Sequence, residues 1–364
     1  MKVLFISNDP SLFESDSPAR SRMRAYAGYA DQLHVLSRAR PNARETQEGA
    51  LFLHPVRSSK LFSMFALMKR ARSLIREQSI DIVSAQDPFE HGLIALRAVS
   101  DSRAKLHIQV HTDFLSPFFA EESLINRIRV RIAGDVLKRA NGIRTVSARV
   151  ARSLAARYGE NIREPSILPR AVPSPEGNAA LPAHAFTFTL IAVGRLEKEK
   201  RFKDVIAALE LVTRQYPNTG LFIVGEGRER KRLEKRARDL GLAGRVIVLG
   251  PRRDAAILMR SANAFIQASA YEGYGATLLE AARARIPIVT TDVGIVGEVL
   301  KPEHSALVSP PYDVPGLVEN VRRLVEDNPL RHELAIAAEE AVAAHLSAAG
   351  NLPERIMADI AKCA

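Results

Sequence analysis

The chain has 364 residues, 46% hydrophobic and 26% charged, and carries a formal net charge of +11. That length and apolar content suit two globular domains with separate cores and exclude a disordered chain. The one cysteine, Cys363, excludes an intrachain disulfide and a cysteine-based zinc site, and fits a reducing cytoplasm.

The opening run KVLFIS reads as a strand. Its apolar stretch is too short for a secretory signal, and no segment reaches the roughly 18 apolar residues that a membrane span needs, so a soluble or peripheral protein is expected. Residues 1–172 hold 27 Lys and Arg against 17 Asp and Glu, whereas residues 173–364 hold 25 against 24. A basic first half suits an anionic partner: nucleic acid, acidic lipid or a phosphorylated substrate. Nucleic acid is disfavoured, because there is no tryptophan, aromatics are 6% of the chain, and no RNP-like or zinc motif occurs.

Along the first half, KVLFIS, QLHVLS, DIVSAQ, KLHIQVHT and GIRTVS alternate with helix-patterned segments such as LFSMFALMKRARSLIREQ. Short apolar runs separated by longer amphipathic ones describe a parallel sheet covered by helices. After KVLFIS comes SNDPSLFESDSPARSRMRAYA, with Arg20, Arg22 and Arg24. Asp87, His111 and Asp113 fall at strand ends, where a carboxylate can equally cap a helix and a histidine can equally serve the core or a turn. Two stretches, LFSMFALMKRARSLIR and LINRIRVRIAGDVLKRA, are amphipathic and basic. In the second, Ile125, Ile128 and Ile132 share a helical face with Arg127, Arg131 and Lys138 off it, which fits an interfacial helix or an apolar face packed on the sheet.

After the proline-rich segment 168–185 the alternation restarts with FTLIAVG, GLFIVGEG, RVIVLG, AFIQAS, IPIVTTD and ALVSP. The expected organisation is therefore α/β, two doubly wound Rossmann-like domains facing each other across a cleft: residues 1–172, residues 173–344, and a C-terminal helix over 345–364 that caps the second or crosses back to the first. In such sheets ligands bind at the carboxyl ends of the strands. There Arg195 and Lys200 follow FTLIAVG, and the Gly225 and Gly227 pair follows the next strand. Further on, EGYGATLLE sets Glu272 and Glu280 around Gly273, Gly275, Ala276 and Thr277, and Gly294 and Gly297 mark another turn. A helix starting near Ala276 points free N–H groups and its positive end at a ligand, an anion site by construction. No G-x-G-x-x-G fingerprint is complete, no P-loop occurs, and the nine histidines show no H-E-x-x-H spacing.

These residues resemble the retaining, GT-B-fold glycosyltransferases of group 1. Glu272 and Glu280, separated by seven residues, fit the family's signature, and Gly194, Arg195, Leu196 and Lys200 fit its GRL segment with a following lysine. Arg201 stands where a glycine is common, and VGEGRERKRLEKRARDLGLAGRVIVLG is similar to the nucleotide-side segment. The resemblance implies transfer of a sugar from a UDP- or GDP-sugar to a glycan, lipid-linked or other acceptor, with retention and without a metal. It implies that Arg195 and Lys200 bind the diphosphate and stabilise the departing anion. Glu280 would hold the ribose, Glu272 the donor sugar, and Gly194, Gly225 and the amides of Gly275, Ala276 and Thr277 would complete the donor site. His111 would face the transferred sugar, with Asp87, Asp113, Arg20 and Arg24 as acceptor-side candidates. The family's N-terminal glycine-rich loop is missing. Domain closure would exclude water. The alternatives are a GT-B nucleotide-sugar epimerase and a non-catalytic sugar-nucleotide-binding protein, and a peripheral position on the inner face of an anionic membrane is a further expectation.

Overall fold

The computed structural model describes residues 1–7, 9–59, 62–172 and 175–364. It divides into two units, Met1–Pro169 together with Asn351–Ala364, and Arg170–Gly350. The first unit runs β1 (Lys2–Ser7), α1 (Pro18–Ala27), β2 (Gln32–Arg38), β3 (Thr46–Glu48), β4 (Leu51–Val56), α2 (Ser63–Glu77), β5 (Ile82–Ala85), α3 (Glu90–Val99), β6 (Lys105–Val110), α4 (Pro117–Glu122), α5 (Leu124–Leu137), β7 (Gly142–Thr145), α6 (Ala148–Tyr158) and β8 (Ser166–Ile167). Its sheet order is β3-β4-β2-β1-β5-β6-β7-β8, parallel except for the β3–β4 edge pair. Strand β1 is buried from Val3 to Ser7, as a strand covered by helices on both faces must be.

The second unit contains β9 (Phe188–Val193), α7 (Phe202–Gln215), β10 (Thr219–Val224), α8 (Arg230–Asp239), β11 (Val246–Gly250), α9 (Ala255–Met259), β12 (Ala264–Gln267), α10 (Ala276–Arg283), β13 (Ile288–Thr291), β14 (Leu307–Ser309), α11 (Val314–Glu326) and α12 (Asn328–Ala349). Its six strands are all parallel, ordered β11-β10-β9-β12-β13-β14. Leu190, Ala192, Leu209, Leu221, Ile223 and Ile266 centre its core. Helices α11 and α12 each start on an aspartate cap, Asp313 and Asp327, with proline at the second helical position. The cap satisfies a first-turn amide, and the proline sits where no amide partner is required.

The last helix, α13 (Leu352–Ala361), belongs to the first unit. Asp359 on it accepts from His107 Nε2 at 3.3 Å and from the Ser166 hydroxyl, which ties α13 to β6 and β8. Cys363 is buried against Gly142, where any Cβ would collide with its sulfur, and burial pushes its thiol up to about 11. The expected boundary at 172/173 abuts Pro173 and Ser174, which lie outside the described residues. The observed division falls after Pro169, and the return begins at Asn351 rather than at 345. Helix α12 continues through Ala349 in contact with α10, so its last turn stays with the second unit until Gly350, at φ +60°, ends it.

Three histidines of the first unit are buried and held below the ordinary imidazole range, chiefly by burial: His34 at about 4, together with His54 and His107. The unfolded chain protonates these rings near pH 6.5, a pH at which the folded rings stay neutral. Their contribution to stability is therefore complete above about pH 6.5 and is lost as the pH falls toward about 4. Melting temperature measured against pH should decline through that window, and a flat profile from pH 7 to 4.5 would contradict the burial of these rings.

Candidate active site

The second unit gathers the predicted donor-side residues on the carboxyl edge of its sheet. Past β9, the chain passes through Gly194 and Arg195 into a short 3-10 turn, Lys198–Lys200, before α7. Arg201, between them, has φ +52°, which explains why a glycine suits this position. The left-handed conformation costs a non-glycine residue about 1–2 kcal/mol. Arg201 offsets this by bonding Asp204 at 2.7 Å and stacking over the Tyr312 ring at 4.0 Å.

The Lys200 ammonium is paired with the Glu272 carboxylate, which also accepts from the Ser269 hydroxyl at 2.8 Å. Both side chains are largely enclosed, at 14% and 13% exposure, so the attraction is stronger than at an open surface. The amide of Ala270 donates to the Glu199 carbonyl at 2.8 Å, a second link between the loops after β9 and β12. Arg195 is 76% exposed and bonds Glu199 at 3.1 Å. Gly225 fits because a Cβ there would strike the Gly194 carbonyl, and one at Gly227 would strike that of Leu196. Both glycines thus serve the close approach of two strand-end loops.

Helix α10 starts on Gly275, at φ +79°, with no side-chain cap and no acidic residue in its first turn. Its first-turn amides and positive end are directed at whatever anion lies there. Thr277 Oγ1 donates to Gln267 Oε1 at 2.7 Å, while Gln267 Nε2 is buried without a hydrogen-bond partner among the described residues. Glu280 lies just over one turn into the helix. Burial raises its carboxyl above the ordinary range, against the opposing charges of Arg170 and Lys200. The Tyr274 hydroxyl meets His345 Nε2 at 3.0 Å, and Gly294 packs so tightly on the Tyr274 carbonyl that a Cβ would fall within 2.5 Å of its oxygen. Arg170, Gln267 and Ser269 are the members of this site that spacing could not reveal.

The first-unit candidates separate. His111, exposed just past β6, bonds through Nε2 to Gln109 Oε1 at 3.2 Å. The same oxygen accepts from Arg144 at 2.9 Å, and Gln109 Nε2 donates to Ser84 at 3.0 Å. Arg144 can only donate, so the glutamine oxygen must face it and His111 must carry its proton on Nε2. Arg144 also holds the carbonyls of Leu168 and Pro169, at 3.1 Å each. Asp87 caps α3: it accepts from the amides of Phe89 and His91 at 2.9 and 3.2 Å and pairs with the His91 ring. Burial opposes ionisation there, but these bonds hold the carboxyl below its ordinary range. Asp113 is pushed up by burial, and its Oδ1 has no hydrogen-bond partner among the described residues. Arg20 and Arg24, expected on the acceptor side, lie four residues apart on one face of α1 and both engage Glu48 of β3. That pairing lowers Glu48 to about 2 and gives both arginines a partner within the first unit.

A family model described as glycosyl transferases group 1 matches residues 182–341, and one described as glycosyltransferase family 4 matches residues 23–174. Both models describe glycosyltransferases, and between them the chain is similar to such enzymes along most of its length. The chain is 35% identical over 153 residues to a glycogen synthase of Mycobacterium tuberculosis, an alignment of 42% of the chain and 37% of the synthase. It is 32% identical over 179 residues to LpsD of Rhizobium meliloti, a lipopolysaccharide core biosynthesis glycosyltransferase, covering 49% of the chain and 51% of LpsD. The chain thus spans about half or less of these relatives. Among solved structures, sucrose-phosphate synthase from Thermosynechococcus elongatus superposes with a TM-score of 0.81 at 18% identity over 94% of each chain. HepE from Anabaena, solved with UDP-glucose, gives 0.74 at 18% identity over 98% of each. The fold is GT-B. No described helix is long and apolar enough to cross a membrane.

The Lys200–Glu272 pair can be tested without any ligand. Removing one partner leaves the other enclosed and uncompensated, so Lys200→Met and Glu272→Gln should each destabilise more than their combination implies. A double-mutant cycle by chemical denaturation should give a coupling of about 1–3 kcal/mol. Additive effects would contradict the pairing.

Proposed function

We propose that the protein transfers a sugar, with retention of anomeric configuration, from a nucleoside diphosphate sugar to a glycan or lipid-linked acceptor. The observation that carries this is the Lys200–Glu272 pair beside the uncapped start of α10, with Glu280 on the same helix. A lysine ammonium and the free amides of a helix N-terminus are both groups that hold a diphosphate. On donor arrival the Lys200 ammonium turns from Glu272 to the phosphates, which frees the Glu272 carboxylate for hydroxyls of the donor sugar. Glu280 and the nearby Arg170 meet the ribose side. As the glycosidic bond breaks, negative charge accumulates on the leaving diphosphate, and Lys200, Arg195 and the α10 amides stabilise it without reorganising. The first unit supplies acceptor recognition, and His111, hydrogen-bonded to Gln109, is its candidate for the transferred sugar.

This charge set does the work that a divalent cation does elsewhere, so turnover needs no metal. The UDP-glucose bound by HepE supports a UDP-sugar donor, with a GDP-sugar the other candidate, and the role in LpsD's name supports a lipopolysaccharide-like acceptor. A position at the inner face of the membrane follows from such an acceptor.

Thermal-shift measurements with UDP, GDP and ADP should show one nucleotide raising the melting temperature, because a ligand bound by the folded state alone stabilises it. The matching sugar nucleotide should be turned over with acceptor present, at the same rate in chelator, and give a product of unchanged anomeric configuration by NMR. Lys200→Ala should lower kcat on the order of 100-fold to 1000-fold, the effect of removing one preorganised charge-stabilising group. Donor turnover without acceptor would favour an epimerase. Binding without turnover would favour a silent sugar-nucleotide-binding protein.

A further inference from the structure

Amphipathic helices over a sheet normally turn their apolar face inward, but two helices of the first unit expose large apolar side chains at their starts. Leu124, Ile125 and Ile128 of α5 are 73%, 61% and 53% exposed, whereas its buried side is made of Asn126, Ala133, Gly134, Val136 and Leu137. At α2, Phe62, Met64 and Phe65 are 65%, 41% and 64% exposed, while Leu67, Ala71, Leu74 and Ile75 face the core. These six are the majority of the ten exposed large apolar side chains among the described residues, so they form a concentration rather than a scatter.

Topology puts both groups on one rim. Helix α2 leads from β4 to β5, and α5 from β6 to β7, all parallel strands. The chain leaving β4 enters α2 at the carboxyl edge of the sheet, and the chain leaving β6 at the same edge passes through α4 into α5. Helix α3 packs against both α2 and α5, so the three share one layer.

Charge indicates the occupant. Arg127, Arg129 and Arg131 lie within the first eight residues of α5, whose first turn has no acidic residue. A cation in the first turn opposes the helix dipole, so Arg127 does not stabilise the helix end. Arg129 is paired with Glu90, and Arg127 bonds the Ala120 carbonyl at 3.3 Å, an interaction that leaves its charge unneutralised. Lys69 and Arg76 continue the outer face of α2 behind Phe62 and Phe65. Glu121 and Glu122 at the end of α4 only partly oppose this excess.

We propose that the first unit docks on an anionic lipid surface through the starts of α2 and α5. Phe62, Phe65, Leu124 and Ile128 enter the boundary between headgroups and acyl chains, and Arg127, Arg131 and Lys69 meet lipid phosphates. This deepens the lipid-linked acceptor assigned above, and its test does not depend on turnover. The full chain should co-sediment at low salt with vesicles of equal parts phosphatidylcholine and phosphatidylglycerol, and much less with phosphatidylcholine alone. The combined substitutions Phe65→Ser and Ile128→Ser, and separately Arg127→Glu and Arg131→Glu, should weaken binding by about tenfold or more. All four positions are exposed, so the nucleotide-induced thermal shift should survive in each variant. No binding of the native chain, or binding undiminished in both variants, would overturn the proposal. So would a dimer in sedimentation equilibrium that Phe65→Ser and Ile128→Ser dissociate, since a second copy would then cover the surface.

Discussion

The ion pair between Lys200 and Glu272 is the constraint on which the candidate site depends. It fastens the loop after β9 to the loop after β12, and it does so with the two groups that a charged sugar donor would most need. Two enclosed charges hold each other in place only while no better partner is present. A diphosphate carries more negative charge than a carboxylate and also finds the free amides of α10, so exchange of partner is chemically reasonable. The glycines around the pair serve the same geometry: Gly225 and Gly227 let the β10 loop close on the backbone of Gly194 and Leu196, and Gly294 lets the β13 turn close on Tyr274.

The first unit is organised by a different device, a directional chain of buried polar groups. Asp359 accepts from His107, whose other nitrogen accepts from Ser84, and Ser84 accepts from Gln109. Arg144 then fixes the Gln109 oxygen that receives His111. Every donor in this chain has one direction it can point, which makes the tautomer of His111 a consequence of residues far from it in sequence. The same Arg144 holds the carbonyls of Leu168 and Pro169, where the first unit ends.

Local physics made much of this legible in the sequence. Continuous apolar runs such as VLFI and TLIA declare parallel strands, and the EGYG turn before TLLE declares a helix start, because glycine and period are local signals. Arg170, Gln267 and Arg144 were not legible, since their partners are ten or more residues away and only folding brings them together. The pairing of Arg20 and Arg24 with Glu48 was not legible either, because nothing near them in sequence announces it. Asp87, by contrast, does what a carboxylate ahead of a helix commonly does. The amphipathic period of α5 was plain, but period alone does not say which side faces the sheet. Ala133, Gly134, Val136 and Leu137 are the buried side, with Gly134 close to Tyr158, and Ile125 and Ile128 are left outside.

The most direct test of the central claim is a crystal structure of the full chain with the nucleoside diphosphate that stabilises it most. The account predicts the diphosphate within hydrogen-bond distance of Lys200 Nζ and of the amides of Ala276 and Thr277, with the Lys200–Glu272 bond broken and Glu280 at the ribose. A nucleotide bound elsewhere, or bound here with Lys200 still on Glu272, would contradict it.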